Sequence, residues 1–339
     1  MMSSVSVVIP CLNEGDFIEQ CLVTLLSDLP DGLDLEVLVV DGGSTDGTRI
    51  IVKALRVRFP FVRLVDNPRR TAAAAMNIGI AAASGDVIVR VDAHCAYPAD
   101  YVVQLTECLE EYEADVVGAV WDTQPRKRTP IGIAIARVLS HPLGVGNAHF
   151  RTGADKVRQV DTVPFGCWRR ETLEKVGSFS ETLTRSQDFE MARRMQAAGA
   201  KVLLIPSVVV TYYARSNLRE TFRYNVGNGY WVTFPALVYG VRFGVRHYVP
   251  VAAVLLGVAM AIVAALGMAW PLVAAVCAYM LVCAKATYDL RPRKGDPFEL
   301  WWTVPLALSS LHVAYGLGGL HGIWGALRAR RREWLQGGH

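Results

Sequence analysis

Along the first hundred residues, short β-branched apolar runs alternate with stretches whose apolar positions recur every three or four residues. The runs are Val5–Ile9, Leu35–Val40, Val62–Val65 and Val87–Val91. Apolar on both faces, they predict strands of a sheet covered on both sides. Between them, Asp16–Ser27, residues 46–57 and Ala72–Ala83 carry helical periodicity, with Ser44, Thr45 or Asp46 available to cap the second helix. Strands alternating with helices in this way predict an α/β fold with a Rossmann-like, doubly wound, mainly parallel sheet.

From Val249 the pattern changes. Between Val249 and Thr287 the only charged residue is Lys285, and the run is broken at Gly267-Met268-Ala269-Trp270-Pro271. Two apolar helices, 249–268 and 271–289, then have the roughly 20 residues that a bilayer span needs. A third apolar segment, 301–327, has Trp301, Trp302 and Trp324 placed as interface anchors. Its Pro305, His312, His321 and the glycines of Gly316–Gly319 suit a re-entrant element as well as a span. Arg242 and Arg246 before the hairpin, and Arg291, Arg293 and Lys294 after it, predict that both its ends are cytoplasmic. The basic tail 328–339 should be cytoplasmic too, which conflicts with three full spans. The expected organisation is a catalytic domain over 1–214, amphipathic interfacial helices over 215–248, a membrane region over 249–327 and the tail.

Composition sharpens this division. Of 339 residues 52% are hydrophobic and 19% charged, and most of the apolar surplus follows Tyr248. The net charge of +4 sits mainly in Arg126–Arg128, Arg291–Lys294 and Arg328–Arg332. Without interleaved aromatics, these clusters point to a membrane surface rather than nucleic acid. Seven scattered cysteines without a C-x-x-C pair suggest neither a disulfide framework nor a zinc site, but a reducing compartment. The N-terminus has no secretory-signal pattern.

In parallel sheets ligands collect beyond the carboxyl ends of the strands. Asn13-Glu14, Asp41 and Asp92-Ala93-His94 all follow strands in that way. The first strand leads into Pro10-Cys11-Leu12-Asn13-Glu14 instead of G-x-G-x-x-G, which excludes a Rossmann dehydrogenase. On an extended segment Asp92 and His94 would point the same way and could share a metal ion bridging a diphosphate. Carboxylate with imidazole suits Mn2+ better than Mg2+. A surface turn with an Asp and a His by chance is the plainer reading. Asp188, in Ser186-Gln187-Asp188-Phe189-Glu190, could be a first-turn acid favoured by the helix dipole or a general base. Arg215, Arg219 and Arg223 recur every four residues before Tyr230 and Trp231. They predict a basic helix face, either solvated or set to grip the diphosphate of a lipid-linked acceptor or of a donor.

Taken together these residues resemble the family 2 glycosyltransferases, inverting enzymes of GT-A fold. The likeness covers about residues 4–231 and rests on ordered segments: Pro10–Glu14, Asp41–Thr48, Asn77-Ile78-Gly79, Gly85-Asp86 and Asp92–His94. Asn67–Arg70, Leu143–Arg151, Val163–Gly166 and Gln187-Asp188 are similar to the ExoA-like succinoglycan glucosyltransferase branch. The resemblance implies that Asp41 contacts uracil and that Pro10, Leu12 and Glu14 line the base and ribose. It adds Asn77, Arg70 and Asp92 to the donor site, makes Asp92 and His94 the metal pair for Mn2+ or Mg2+, and makes Asp188 the base. Gly166, Cys167 and Gln187 would lie on the acceptor side, with Arg215, Arg219, Arg223 and Trp231 serving acceptor or diphosphate. It implies a UDP-sugar donor, a hexose such as glucose, a polyprenyl-diphosphate-linked acceptor and the cytoplasmic face of a multi-pass inner-membrane protein in exopolysaccharide synthesis. Leu12 departs from the pattern where many relatives carry an aromatic, and Tyr224 where the branch has Gln. A polyprenyl-phosphate monosaccharide synthase and a non-catalytic membrane scaffold are the competing functions. The Gln-x-x-Arg-Trp signature of processive synthases is absent, which favours addition of a single sugar.

Overall fold

The computed structural model describes residues 4–30 and 32–336. In chain order its strands are β1 Val5–Cys11, β2 Leu35–Asp41, β3 Val62–Asp66, β4 Val87–Arg90, β5 Cys95–Ala96, β6 Val116–Pro125, β7 Arg158–Gln159, β8 Cys167–Arg169 and β9 Val202–Ala214. The helices of the N-terminal half are α1 Ile18–Leu26, α2 Thr48–Arg58, α3 Ala72–Ala82 and α4 Tyr101–Glu111, followed by α5 Pro130–Val138 and the single turns α6 Pro142–Val145 and α7 His149–Thr152. Then come α8 Arg170–Val176, α9 Gln187–Ala197, α10 Leu218–Val238, α11 Val249–Ala265, α12 Trp270–Asp289 and α13 Leu300–Gln336.

The chain divides into two compact units. One comprises the residues up to Asp122 with Gly153–Tyr212; the other comprises Thr123–Thr152 with everything from Tyr213 on. The contact division therefore takes Thr123–Thr152, within the span 1–214 expected as the catalytic domain, into the second unit.

In the first unit the strands lie in the order β3-β2-β1-β4-β8-β6-β9-β5, with β7 beside β9. β3, β2, β1 and β4 run parallel, Val7 facing both Val37 and Val89. β8 reverses the direction by pairing antiparallel to both β4 and β6, so the sheet is mixed, mainly parallel in its first half. Val7, Val8, Ile9, Val37–Val40 and Ile88–Val89 are fully buried, as apolar runs covered on both faces require. Helix α3 approaches closely because it is made of small residues: a methyl on Gly79 would lie 2.3 Å from the Val8 side chain. Gly47, at φ 93°, starts α2, so the cap is not the side chain of Ser44, Thr45 or Asp46. Asp46 still accepts from the Thr48 amide (3.2 Å) and hydroxyl (2.6 Å).

The second unit is helical. The apolar face of α5 (Ile133, Ile135, Val138) packs with Cys283 and Ala286 of α12 and with Leu300, Val304, Leu308 and Leu311 of α13. Helices α10 and α13 meet backbone to backbone: the Cβ position of Gly229 is 2.0 Å from the Tyr315 carbonyl, and that of Gly318 is 2.0 Å from the Val226 carbonyl. The Thr233 hydroxyl donates to the Gly319 carbonyl across the seam (2.7 Å). Segment 301–327 is therefore part of one unbroken helix, and Pro305 within it causes no reversal. That helix runs on through Arg328 to Gln336; residues 337–339 of the basic tail lie outside the described residues.

Helices α11 and α12 form the expected hairpin around Gly267 (φ 100°). Their large apolar side chains, Leu255, Leu256, Ile262, Val273, Met280 and Leu281 among them, are exposed. Among the described residues one helix, Trp270–Asp289, is long and apolar enough to cross a membrane; α11 has 17 residues.

Candidate active site

The crevice lies beyond the carboxyl ends of β1, β2 and β4, where side chains replace the ladder as the source of hydrogen bonds. Two loops are laced together there. The Asn13 amide donates to the Ser44 hydroxyl (2.8 Å), the Thr45 amide to the Asn13 side-chain oxygen (2.9 Å), and the Glu14 amide to the Thr48 hydroxyl (3.0 Å). The Gly15 amide donates to Asp46 (2.8 Å). Asn13 sits at φ 55° and Arg70 at φ 58°, left-handed conformations that Asn tolerates and Arg rarely adopts.

Asp41 ends β2 with its side chain fully buried. Its oxygens accept from the amides of Gly43 (2.9 Å) and Ser44 (3.1 Å), from the Ser44 hydroxyl and from Arg49 (2.8 Å). Burial pushes this carboxyl up, but the hydrogen bonds from Ser44, Arg49 and Gly43 outweigh it and hold it below the usual carboxylate range. Expected to meet a base, Asp41 here organises its own turn. Leu12 is 38% exposed and, with the Arg70 backbone, flanks Gly42. Pro10 pairs with Val40 one position before the strand ends. Asn77, expected in the donor site, is engaged with the chain itself: its amide donates to the Phe179 carbonyl (3.0 Å) and to Glu181 (2.8 Å), while its oxygen accepts from the Phe179 amide (2.8 Å).

At the end of β4 the unforeseen residue is Arg90. Its side chain is only 8% exposed, yet it is charged. Nε donates to Asp92 (2.9 Å), and Nη1 donates to Asp188 at the start of α9. Burial by itself would lower the guanidinium pKa; the Asp188 and Asp92 carboxylates overcome this and keep it firmly protonated. For Asp188, burial pushes the carboxyl upward against the opposing pull of Arg90, while Asp92 adds to the rise. Its side chain is still 46% exposed, so that push acts on a group open to the crevice.

Ala93 and His94 form a turn rather than an extended segment. The Asp92 backbone is held by Tyr97, whose hydroxyl accepts from the Asp92 amide (2.8 Å) and donates to its carbonyl (3.2 Å). His94 Nδ1 is 3.3 Å from Glu14, and its ring is 5.9 Å from that of Tyr212. Among the described residues no group of three or more His, Cys, Asp or Glu side chains could hold a metal ion alone. A divalent ion on Asp92 and His94 would therefore take its remaining positions from water and ligand oxygens. A carboxylate, an imidazole and phosphate oxygens make a fitting donor set for such an ion.

Of the residues expected on the acceptor side, the Gly166 carbonyl accepts from the Arg90 amide (3.0 Å), and Gln187 is buried at the start of α9. Cys167 is a correction: it is fully buried inside the sheet, facing Val89 and Val117, with its thiol pushed up by burial. It cannot line an acceptor loop. In the second unit, Asn217 caps α10, its side chain accepting from the amides of Arg219 (2.8 Å) and Glu220 (3.3 Å). Arg215 thus precedes the helix and lies over the Tyr224 ring, 3.9 Å from its centre, which corrects the expected face of three arginines. Arg219 and Arg223 are exposed on the helix, and Trp231 packs edge-on against Tyr230 and Phe234.

Comparison with known proteins identifies the family and the fold. The family model "Glycosyl transferase family 2" matches residues 6–176. The chain is 33% identical over 261 residues to the succinoglycan biosynthesis protein ExoA of Rhizobium meliloti, covering 76% of this chain and 78% of that protein. It is 27% identical over 236 residues to a dolichyl N-acetyl-α-D-glucosaminyl phosphate 3-β-D-2,3-diacetamido-2,3-dideoxy-β-D-glucuronosyltransferase of Methanococcus voltae, covering 67% and 72%. Among solved structures, the mannosyltransferase PcManGT from Pyrobaculum calidifontis, in complex with GDP-Man and Mn2+, superposes with TM-score 0.58 at 20% identity, over 96% of this chain and 88% of that one.

Proposed function

The chain belongs to glycosyl transferase family 2, and on that premise we propose that it moves a hexose, such as glucose, from a UDP-sugar to a hydroxyl of a polyprenyl-diphosphate-linked sugar. The observation that carries this reading is the meeting of Asp92 and Asp188 on one guanidinium at the crevice end of β4. On this reading Asp92 is the donor-side carboxylate and Asp188, 46% exposed, the one that meets the acceptor.

Asp188 takes the proton of the acceptor hydroxyl as that oxygen bonds to the anomeric carbon. The bond from the anomeric carbon to the UDP oxygen breaks on the opposite face, and its electron pair leaves with UDP. Configuration inverts, so an α-linked donor yields a β-glycoside. Asp92 and His94 would hold the divalent metal, Mn2+ rather than Mg2+, and the ion would supply positive charge for the departing diphosphate. Pro10, Leu12, Glu14, Asp41 and Arg70 border the nucleoside. Gly166 and Gln187 border the acceptor, and Arg215, Arg219, Arg223 and Trp231 serve the acceptor's diphosphate and its lipid.

PcManGT supports a metal-assisted donor, being described with GDP-Man and Mn2+. The Methanococcus relative supports a lipid-borne acceptor, since its name specifies a dolichyl phosphate sugar. The exposed apolar hairpin α11–α12 supports membrane anchoring with the basic flanks on the cytoplasmic side. The test incubates purified protein with a panel of UDP-sugars and a defined polyprenyl-diphosphate sugar, with and without Mn2+. We expect a metal-dependent oligosaccharide–diphosphate–lipid and its loss in Asp188→Asn. A sugar–phosphate–lipid product would identify a polyprenyl-phosphate sugar synthase instead, and UDP release without any glycan product would disprove transfer.

A further inference from the structure

We propose that Arg90 is a positioning residue that fixes the distance and orientation between the donor-side carboxylate Asp92 and the base Asp188. The inference rests on the roles given to those two residues above.

Arg90 is out of place by composition. The other residues of β4 are Val87, Ile88 and Val89, all buried, and burying a guanidinium is costly unless its charge and donors are matched. Its fork is divided between two elements. The Nε and Nη2 edge lies along Asp92, at 2.9 and 3.5 Å, two positions further on. Nη1 reaches Asp188, which is 98 positions away in sequence. The cavity that Arg90 and Asp188 both line is otherwise mostly apolar, with Val116, Val163, Met191, Met195 and Val202 among its walls, so its side chains give the guanidinium little else to pair with.

The pairing also decides which oxygen of the base is available. Arg90 engages Oδ1 of Asp188, so on this proposal the second oxygen of the half-exposed side chain is left for an acceptor hydroxyl. Neighbouring backbone holds both ends of the bridge. The Arg90 amide donates to the Gly166 carbonyl (3.0 Å), just after Phe165 at φ 47°. Ser186 at φ 63° leads into Gln187 and Asp188. Two non-glycine residues in the left-handed region next to one buried ion group fit a site built for geometry. Lysine could supply the charge but not the flat fork that meets two carboxylates at fixed angles.

The experiment compares Arg90→Met, Arg90→Lys and Asp188→Asn in the full-length protein. UDP release from the UDP-sugar that the panel identifies, in the presence of acceptor, gives kcat and KM. Calorimetry with Mn2+ and UDP gives donor-site affinity, and a melting curve reports folding. Arg90→Met should lower kcat by about 100-fold, the scale of a misplaced catalytic group, with Mn2+–UDP affinity held within about threefold. Arg90→Lys should remain at least about tenfold below wild type in kcat. Arg90→Met at wild-type kcat beside an inactive Asp188→Asn would overturn this inference alone. So would loss of Mn2+–UDP binding in parallel with kcat at an unchanged melting midpoint, because Arg90 would then serve donor binding rather than the spacing of the two carboxylates. Should Arg90→Met fail to fold, wild-type kcat in Arg90→Lys overturns it equally. Wild-type turnover in Asp188→Asn would overturn the functional reading, and this inference with it.

Discussion

Replacing Asn77 with alanine separates a structural clamp from a donor contact. Asn77 sits in α3 and makes three hydrogen bonds, of 2.8–3.0 Å, to the amide and carbonyl of Phe179 and to Glu181. Phe179 is 2% exposed, so the substitution strands two backbone groups of a buried residue. Glu181 keeps its ion pair with Arg69 (2.6 Å) and loses little. An unsatisfied buried group costs about 1–3 kcal/mol, and relaxation of the segment recovers part of this, so the expected loss is about 2–3 kcal/mol. Urea unfolding in detergent should show a lower midpoint at unchanged slope, and hydrogen exchange should quicken over residues 177–186. UDP affinity in the presence of Mn2+ should stay within about twofold, since no donor contact is removed. Destabilisation under about 0.5 kcal/mol together with a tenfold loss of UDP affinity would refute this assignment.

Other expectations follow from the same geometry. Gly229→Ala places a methyl 2.0 Å from the Tyr315 carbonyl and should force α10 from α13 at a cost of about 1–3 kcal/mol, read as a lower melting midpoint; an unchanged midpoint would mean that the seam is loose. The Asp188 carboxyl is raised by burial despite Arg90, so the acid limb of kcat/KM should lie above the ordinary carboxylate value of about 4. A limb at or below that value would count against Asp188 as the base. Asp41 is shifted the other way: its stabilisation is complete above its unfolded pKa of about 3.9 and is lost as pH falls through its lower folded value. Asp41→Asn should therefore flatten the fall of the urea midpoint below pH ~4, and an unaltered profile would argue against that pairing.

Much of the first unit was legible because its signals are local. The parallel strands announce themselves as β-branched runs, and the loops that follow carry the polar residues a crevice needs. The antiparallel half was not legible, since β8 has three residues and derives its identity from β4 and β6 on either side. Cys167 therefore looked like part of a loop. Arg90 escaped because its second partner is distant in sequence, although an arginine ending a wholly apolar strand two residues before an aspartate was a readable sign. Asn77 entered the donor site only through the family resemblance, and nothing local reveals its bonds to Phe179 and Glu181. Arg215 was placed on a helix although Asn217, with Glu220 three residues later, already marked the start.

The recruitment of Thr123–Thr152 into the helical unit sets a schedule for synthesis. Helix α5 leaves the ribosome with Ile133, Ile135 and Val138 unpartnered, and its cover from Leu300–Leu311 of α13 is made roughly 165 residues afterwards. At ordinary translation speed that delay is about 10–30 s. For that interval the nascent chain displays an apolar helix in mid-sequence, well ahead of its hydrophobic hairpin. Release of a chain truncated at residue 214 would make the interval permanent, so the catalytic unit cut there should aggregate rather than dissolve.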